Sequence, residues 1–84
     1  MFYVYVLQSE KGGGIYLGST NDLKRRLAEH NGGRGRSTKN SAPFRLVYYE
    51  AFSNEPEARL REKNLKRHAL AYQQLMRRIA KSLS

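Results

Sequence analysis

The chain has 84 residues, enough for one small domain, and its lack of cysteine excludes disulfides and thiolate metal sites. Its 16 Lys and Arg residues against 7 Asp and Glu residues give a formal net charge of +9. Such an excess of positive charge is typical of proteins that bind a polyanion, and we expect the partner to be nucleic acid.

The first two predicted elements form a β-hairpin. Residues Phe2 to Leu7 are rich in β-branched and aromatic side chains, which predicts a buried strand. Three glycines at 12–14 predict a turn, and Ile15 to Leu17 resume the strand pattern. The opening apolar run is too short for a signal peptide or a membrane span, so we expect a cytoplasmic protein without membrane contact.

A helix is predicted over residues 21–30, capped by Thr20 or Asn21 and ended by the Asn-Gly-Gly sequence at 31–33. The positions spaced as one buried helix face hold Leu23, Arg26, Leu27 and His30. Arginine is almost never fully buried without a partner, so we expect Arg26 to face a site at the edge of the core.

The second half of the chain predicts one more strand and two more helices. Residues 32–42 form a basic loop, whose length and charge favour a phosphate-contacting arm over a plain connector. A strand is predicted at 44–52, followed by a helix that Asn54 caps and that extends to about Arg67. A last helix is predicted over 69–83, so the element order is β-β-α-β-α-α in a single domain, residues 1–84.

Glu62 shares a predicted helix face with Ala58 and Leu65, where a carboxylate is costly unless it has a partner. One interpretation is an ordinary ion pair with Lys66 or Arg59 on the same helix. The other is a hard divalent cation, because Mg²⁺ commonly takes one or two carboxylates and completes its shell with water and phosphate oxygens.

These residues together resemble the GIY-YIG nuclease family, most closely its small single-domain bacterial branch. Tyr3-Val4-Tyr5 stands at the family's Gly-Ile-Tyr motif, and Tyr16-Leu17-Gly18 stands at its Tyr-Ile-Gly motif. The arginine helix of the family is matched by residues 23–26 with His30, and its glutamate motif is matched by residues 58–66. The similarity covers nearly the whole chain, with the motifs in the right order.

The resemblance implies an α+β fold, with a three-stranded antiparallel sheet flanked by helices, and metal-dependent cleavage of DNA phosphodiesters, in repair or other DNA processing. Carried over, Tyr5 and Tyr16 flank the attacking water and one of them is the general base. Arg26 binds the scissile phosphate, His30 donates a hydrogen bond or relays a proton, and Glu62 holds one Mg²⁺ or Mn²⁺ ion. Ser19 stands where some members of the family have a lysine, which removes one cation.

The expected partner is nucleic acid, most of all DNA, with a protein partner or an oligomer as one way to supply target specificity. The cations that we expect to contact nucleic acid are Arg25, Arg34, Arg36, Lys39 and Lys66. Two alternatives stay open beside an endonuclease of low sequence specificity. One is a nucleic-acid-binding module with weak or no catalysis, and the other is a small RNA-binding protein whose tyrosines are merely structural.

Overall fold

The computed structural model describes residues 1–32 and 40–83. The described residues form three strands, β1 (Phe2–Ser9), β2 (Ile15–Thr20) and β3 (Phe44–Phe52), and three α-helices, α1 (Leu23–Asn31), α2 (Glu55–Arg67) and α3 (Ala69–Arg78). A short 3₁₀ turn at Ala80–Ser82 follows α3. The predicted α+β class and the order β-β-α-β-α-α are confirmed.

The sheet has the strand order β2-β1-β3, and both strand pairs are antiparallel. The hairpin between β1 and β2 turns through Gly12 and Gly13, whose φ angles of 89° and 79° lie in the left-handed region that favours glycine. Strand β2 therefore forms one edge of the sheet, and its register places Gly18 directly opposite Tyr5.

The two faces of β1 build two cores, because successive side chains of a strand point to opposite faces. Val4 and Val6 pack in one core with Leu65 of α2 and Leu75 of α3. Tyr5 and Leu7 pack with Phe44 in the other core, which Leu23 and Leu27 of α1 help to cover. The sheet thus lies between α1 on one face and the pair α2 and α3 on the other.

Helix ends differ in detail from the sequence prediction. Helix α1 is capped by Asp22, whose side chain accepts a hydrogen bond from the Arg25 backbone N–H, and not by Thr20 or Asn21. Helix α2 is capped by Asn54 as predicted. Helix α3 ends at Arg78, five residues before the predicted end, because the chain tightens there into the 3₁₀ turn.

Two further expectations concern the loop and the membrane. The predicted basic arm lies mostly outside the described residues, which end at 32 and resume at 40. No helix within the described ranges combines the length and the apolarity that are needed to cross a bilayer.

Candidate active site

A pocket of about 230 Å³ lies at the β2 edge of the sheet. Its lining includes all five residues that we expected from the sequence to act on a phosphodiester: Tyr5, Tyr16, Arg26, His30 and Glu62. Strands β1 and β2 supply the tyrosines, α1 supplies the arginine and the histidine, and α2 supplies the glutamate. The structure therefore brings together side chains that are up to 57 residues apart in the sequence (from 5 to 62).

Gly18 gives the Tyr5 side chain its path across β2. The two residues face each other across the β1–β2 pair. A Cβ atom built on Gly18 would lie 2.6 Å from Cζ of Tyr5 and closer still to the hydroxyl. Any side chain at position 18 would thus displace the phenol, so this glycine is required by the close approach of a ring and not by an unusual φ angle.

His30 is the hydrogen-bond partner of the Tyr5 hydroxyl. The distance from the hydroxyl to Nε2 of His30 is 3.0 Å, and the histidine is only 6% exposed. Burial, and then the charge of Arg26, lower the pKa of His30 below its ordinary value. The imidazole is therefore neutral at neutral pH, and in the tautomer with an unprotonated Nε2 it can accept the tyrosine's proton.

Arg26, on α1, lines the same pocket as Tyr5. Its interaction with Tyr5 is the largest influence on its pKa, which is raised above the ordinary value against the opposing effect of burial. Its Nη1 atom also donates to Oε1 of Glu29 at 3.2 Å. The Arg26 side chain is 35% exposed, and a guanidinium has five N–H donors, so it can still present donors to a phosphate.

Glu62 is held by a hydrogen bond on each carboxylate oxygen. The Ser19 hydroxyl donates to Oε1 at 2.6 Å, and Nζ of Lys66 donates to Oε2 at 2.6 Å. Burial acts to raise the pKa of Glu62, but these two donors outweigh it and hold the pKa below its ordinary value. Glu62 is therefore a carboxylate at neutral pH.

For Glu62, the sequence left open an ion pair on its own helix and the binding of a divalent cation. The expected ion pair with Lys66 is present, whereas Arg59 pairs with Glu55 at 3.7 Å. From the sequence we interpreted Ser19 only as a missing lysine, and its bond to the carboxylate was missed. Strand alternation was the available signal: Ser19 must point to the face opposite Gly18, which is the face that α2 covers.

The donor set fits one hard divalent cation and not a metal cage. Within residues 1–32 and 40–83 there is no group of three or more His, Cys, Asp or Glu side chains that could hold a metal. The ionised Glu62 nevertheless offers one carboxylate in the same pocket as the Arg26 guanidinium. Mg²⁺ is commonly bound in this way, through one or two carboxylates, water and substrate phosphates.

Tyr16 has different surroundings from Tyr5. Its hydroxyl lies 3.0 Å from Oγ of Ser41, and its ring meets Phe44 edge to face with centroids 5.0 Å apart. These contacts orient the phenol at the pocket. The two tyrosines thus differ in their contacts among the described residues: the Tyr5 hydroxyl meets an imidazole, and the Tyr16 hydroxyl meets a serine.

The expected nucleic-acid contacts divide into three groups. Lys66 lies in the pocket itself. Arg25 lines an adjoining hollow of about 460 Å³, where its guanidinium donates to Oδ1 of Asn21 at 3.1 Å. The remaining three cations, Arg34, Arg36 and Lys39, lie outside the described residues.

Comparisons with known proteins give the chain its relatives. Residues 1–76 match the sequence profile of the GIY-YIG catalytic domain. The UPF0213 protein CPE1444 of Clostridium perfringens is 43% identical over 68 residues, which are 80% of this chain and 72% of that protein. A UPF0213 protein of Streptococcus pneumoniae is 42% identical over 66 residues, which are 77% of this chain and 66% of that protein. The chain thus spans about two thirds to three quarters of the length of these relatives.

A solved structure is similar over most of the chain. The solution NMR structure of the UPF0213 protein BH0048 from Bacillus halodurans has a TM-score of 0.55 and 37% sequence identity. The match covers 90% of this chain and 83% of that protein. The similarity supports the same three-stranded arrangement of sheet and helices.

Proposed function

Because this chain belongs to the GIY-YIG catalytic-domain family, we propose that it hydrolyses DNA phosphodiester bonds as an endonuclease of low sequence specificity that needs one Mg²⁺ or Mn²⁺ ion. The single observation that carries the proposal is the pocket that Arg26, Glu62 and two tyrosines line together. A guanidinium, a metal-binding carboxylate and a proton acceptor are the groups that the hydrolysis of a phosphodiester needs.

Arg26 binds and orients the scissile phosphate. Its planar group of N–H donors matches two non-bridging oxygens, and its positive charge stabilises the additional negative charge of the transition state. Glu62 holds the divalent ion, which when bound supplies further positive charge to the phosphate and the leaving oxygen. Ser19 and Lys66 keep the carboxylate ionised and oriented before the ion arrives.

Tyr5 is the proton acceptor in this mechanism. The water oxygen forms a bond to phosphorus, and the water's proton moves to the Tyr5 oxygen. The bond from phosphorus to the leaving oxygen breaks with its electron pair on that oxygen, which takes a proton from solvent. The proton that Tyr5 carried passes along its 3.0 Å hydrogen bond to Nε2 of His30. Tyr16, oriented by Ser41, positions the water.

A second candidate function is nucleic-acid binding with little or no turnover. One observation favours it: both functional charges of the pocket are neutralised on their own helices. Arg26 pairs with Glu29 three residues on, and Glu62 pairs with Lys66 four residues on. A catalytic site must displace Lys66 from Glu62 to admit a metal ion, and a binding module need not.

A cleavage assay separates the two functions. Supercoiled, branched and single-stranded DNA, with single-stranded RNA for comparison, are incubated with Mg²⁺ or Mn²⁺ and the products resolved on gels. Glu62→Gln and Arg26→Ala should each lower the DNA cleavage rate about a hundredfold or more. Glu57→Gln, an exposed glutamate on the same helix, and Lys24→Ala, an exposed cation on α1, are matched controls and should cut at the wild-type rate.

Two results contradict the nuclease proposal. Wild-type protein that binds DNA but cuts no substrate with either metal supports the binding module instead. Cleavage that persists unchanged in both Glu62→Gln and Arg26→Ala places the activity outside this pocket, or in a contaminant.

A further inference from the structure

Two larger hollows adjoin the pocket from opposite sides along the β2 edge. The hollow of about 460 Å³ that contains Arg25 shares Ser19 and Arg26 with the pocket. A second hollow of about 640 Å³ shares Tyr16, Leu17 and Lys66 with it. We call these the Arg25 hollow and the Tyr72 hollow, the latter lined also by Ile15, Arg67 and Tyr72. The three depressions follow one another, so a strand could pass through the pocket from one hollow to the other.

The Arg25 hollow is polar and largely self-neutralised. Besides its arginines, its lining holds the carboxylates of Glu29 and Glu55. Glu29 pairs with Arg26, and Glu55 pairs with Arg59. Carboxylates repel a phosphate backbone, so the charge of this hollow gives a polyanion only modest attraction.

The Tyr72 hollow has the opposite character. Its lining, which falls entirely in the described part of the chain, contains no Asp or Glu. It contains the cations Arg67 and Lys66, of which Lys66 also pairs with Glu62 of the adjoining pocket. The rest of the lining is mainly aliphatic and aromatic, with Ile15, Leu17 and Tyr72 among it. An apolar surface that has cations beside it and no carboxylate among its lining residues can bind a flat, uncharged group that is attached to a phosphate, as a nucleobase is.

Tyr72 is accessible from two sides. The residue is half-buried on α3, and it lines the Tyr72 hollow as well as a neighbouring depression of about 410 Å³ formed with Met76 and Arg77. Its side chain therefore lines both depressions. Aromatic walls of this kind stack on bases of single strands without sequence preference, because every base has a π-face.

We propose that the Tyr72 hollow binds an unpaired nucleobase next to the scissile phosphate, with Lys66 and Arg67 on the adjoining backbone. The inference rests on the proposed function, since the pocket beside the hollow must hold the phosphate. A base within a duplex is enclosed by its neighbours in the stack, and only an unpaired nucleotide can place its face against Tyr72. The substrate class is thus a strand with an unpaired nucleotide beside the cut, as in single strands, flaps and forks, rather than an uninterrupted duplex.

The test measures binding without cleavage. Fluorescence anisotropy in EDTA compares a labelled single-stranded oligothymidylate with an abasic oligonucleotide of equal length and charge. Wild-type protein should bind the abasic strand about tenfold more weakly, because the stacking of the base is lost. Tyr72→Leu should weaken oligothymidylate binding about tenfold and leave binding of the abasic strand unchanged, whereas Tyr72→Phe keeps a ring and should bind as wild type does.

The matched control is Tyr49→Leu, since Tyr49 is 53% exposed but lies on β3, outside both hollows and the pocket. Thermal unfolding verifies that each variant is folded, and the comparison of the two strands with wild-type protein decides the matter should Tyr72→Leu be unstable. Equal affinities of wild-type protein for the two strands, or equal losses in Tyr72→Phe and Tyr72→Leu, would overturn the base site.

Failure of the base site and failure of the nuclease function are distinguishable, because the binding assay needs no turnover. Base-dependent binding through Tyr72 with no cleavage under any condition supports the base site and refutes the nuclease. If the Tyr72→Leu variant cleaves DNA, and if in the binding assay it distinguishes oligothymidylate from the abasic strand as well as wild type does, the nuclease is supported and the base site is refuted.

Discussion

Replacement of Gly18 by alanine should destabilise the protein through one contact. The new Cβ would lie 2.6 Å from Cζ and 3.0 Å from Cε2 of Tyr5, whereas carbon atoms in contact are normally about 3.5–4.0 Å apart. The phenol must therefore move by about 1 Å, within a cluster that also holds His30 and Arg26. Overpacking of this kind costs about 1–3 kcal/mol of the free energy of unfolding. For a domain of this size that cost lowers the melting temperature by about 5–20 °C.

A double-mutant cycle with Tyr5→Ala isolates the contact. Without the ring there is nothing for the added Cβ at position 18 to meet, so Gly18→Ala in the Tyr5→Ala background should be neutral or slightly stabilising. The expected coupling free energy is about 1–3 kcal/mol, measured by urea unfolding with unchanged m-values. Tyr5→Phe serves as the control, because it keeps the ring carbons that meet the added Cβ. Gly18→Ala should therefore remain destabilising in the Tyr5→Phe background. Additive effects of Gly18→Ala and Tyr5→Ala would refute the explanation given for this glycine.

Three other predictions concern charges. Lys66→Met removes the cation that competes with a metal ion for the Glu62 carboxylate. The affinity for Mn²⁺, measured by electron paramagnetic resonance, should therefore rise about twofold to fivefold, whereas the control Lys63→Met should leave it unchanged. An unchanged affinity in Lys66→Met would mean that Mn²⁺ binds elsewhere. The lowered pKa of His30 means that, as pH falls below about 6.5, the unfolded chain takes up a proton before the folded one does. The free energy of unfolding should thus fall as the pH drops below about 6.5, until the pKa of His30 in the folded protein is passed. The fall should be less steep in His30→Gln than in wild type or in the control His68→Gln. Parallel curves of unfolding free energy against pH for His30→Gln and wild type would contradict this. The last prediction replaces the three loop cations, Arg34, Arg36 and Lys39, by glutamine. The slope of log affinity for DNA against log salt concentration should become shallower by up to about one unit for each phosphate that the loop no longer neutralises. An unaltered slope would mean that the loop is a plain connector.

The order of the elements was predictable because each one has a local signature. The β-branched and aromatic runs indicated the strands, and Asn54 with Glu57 marked the start of α2. The cap of α1 was predicted wrongly because three consecutive residues that can cap a helix precede it. Only the chain's path decides that the Asp22 carboxylate, and not Thr20 or Asn21, reaches the Arg25 N–H.

The five candidate residues predicted from the sequence line one pocket, but the contacts among them were not predictable. The place of Arg26 on an apolar helix face indicated a partner at the core's edge, and the structure supplies Tyr5 and Glu29. The crossing of Tyr5 over Gly18 depends on the hairpin register, which three consecutive glycines leave undefined in the sequence. The bond from Ser19 to Glu62 joins residues 43 positions apart. Strand alternation indicates the sheet face on which Ser19 lies, but not that Glu62 meets it there.

A crystal structure with Mn²⁺ and a non-hydrolysable phosphodiester oligonucleotide tests the central claim most directly. We expect an anomalous-scattering peak for Mn²⁺ on the Glu62 carboxylate, with Lys66 displaced from Oε2 and Arg26 bound to the phosphate that the ion also contacts. A peak on Glu29 or Glu55 instead, with the Lys66–Glu62 pair intact and no phosphate within reach of Arg26, would contradict it.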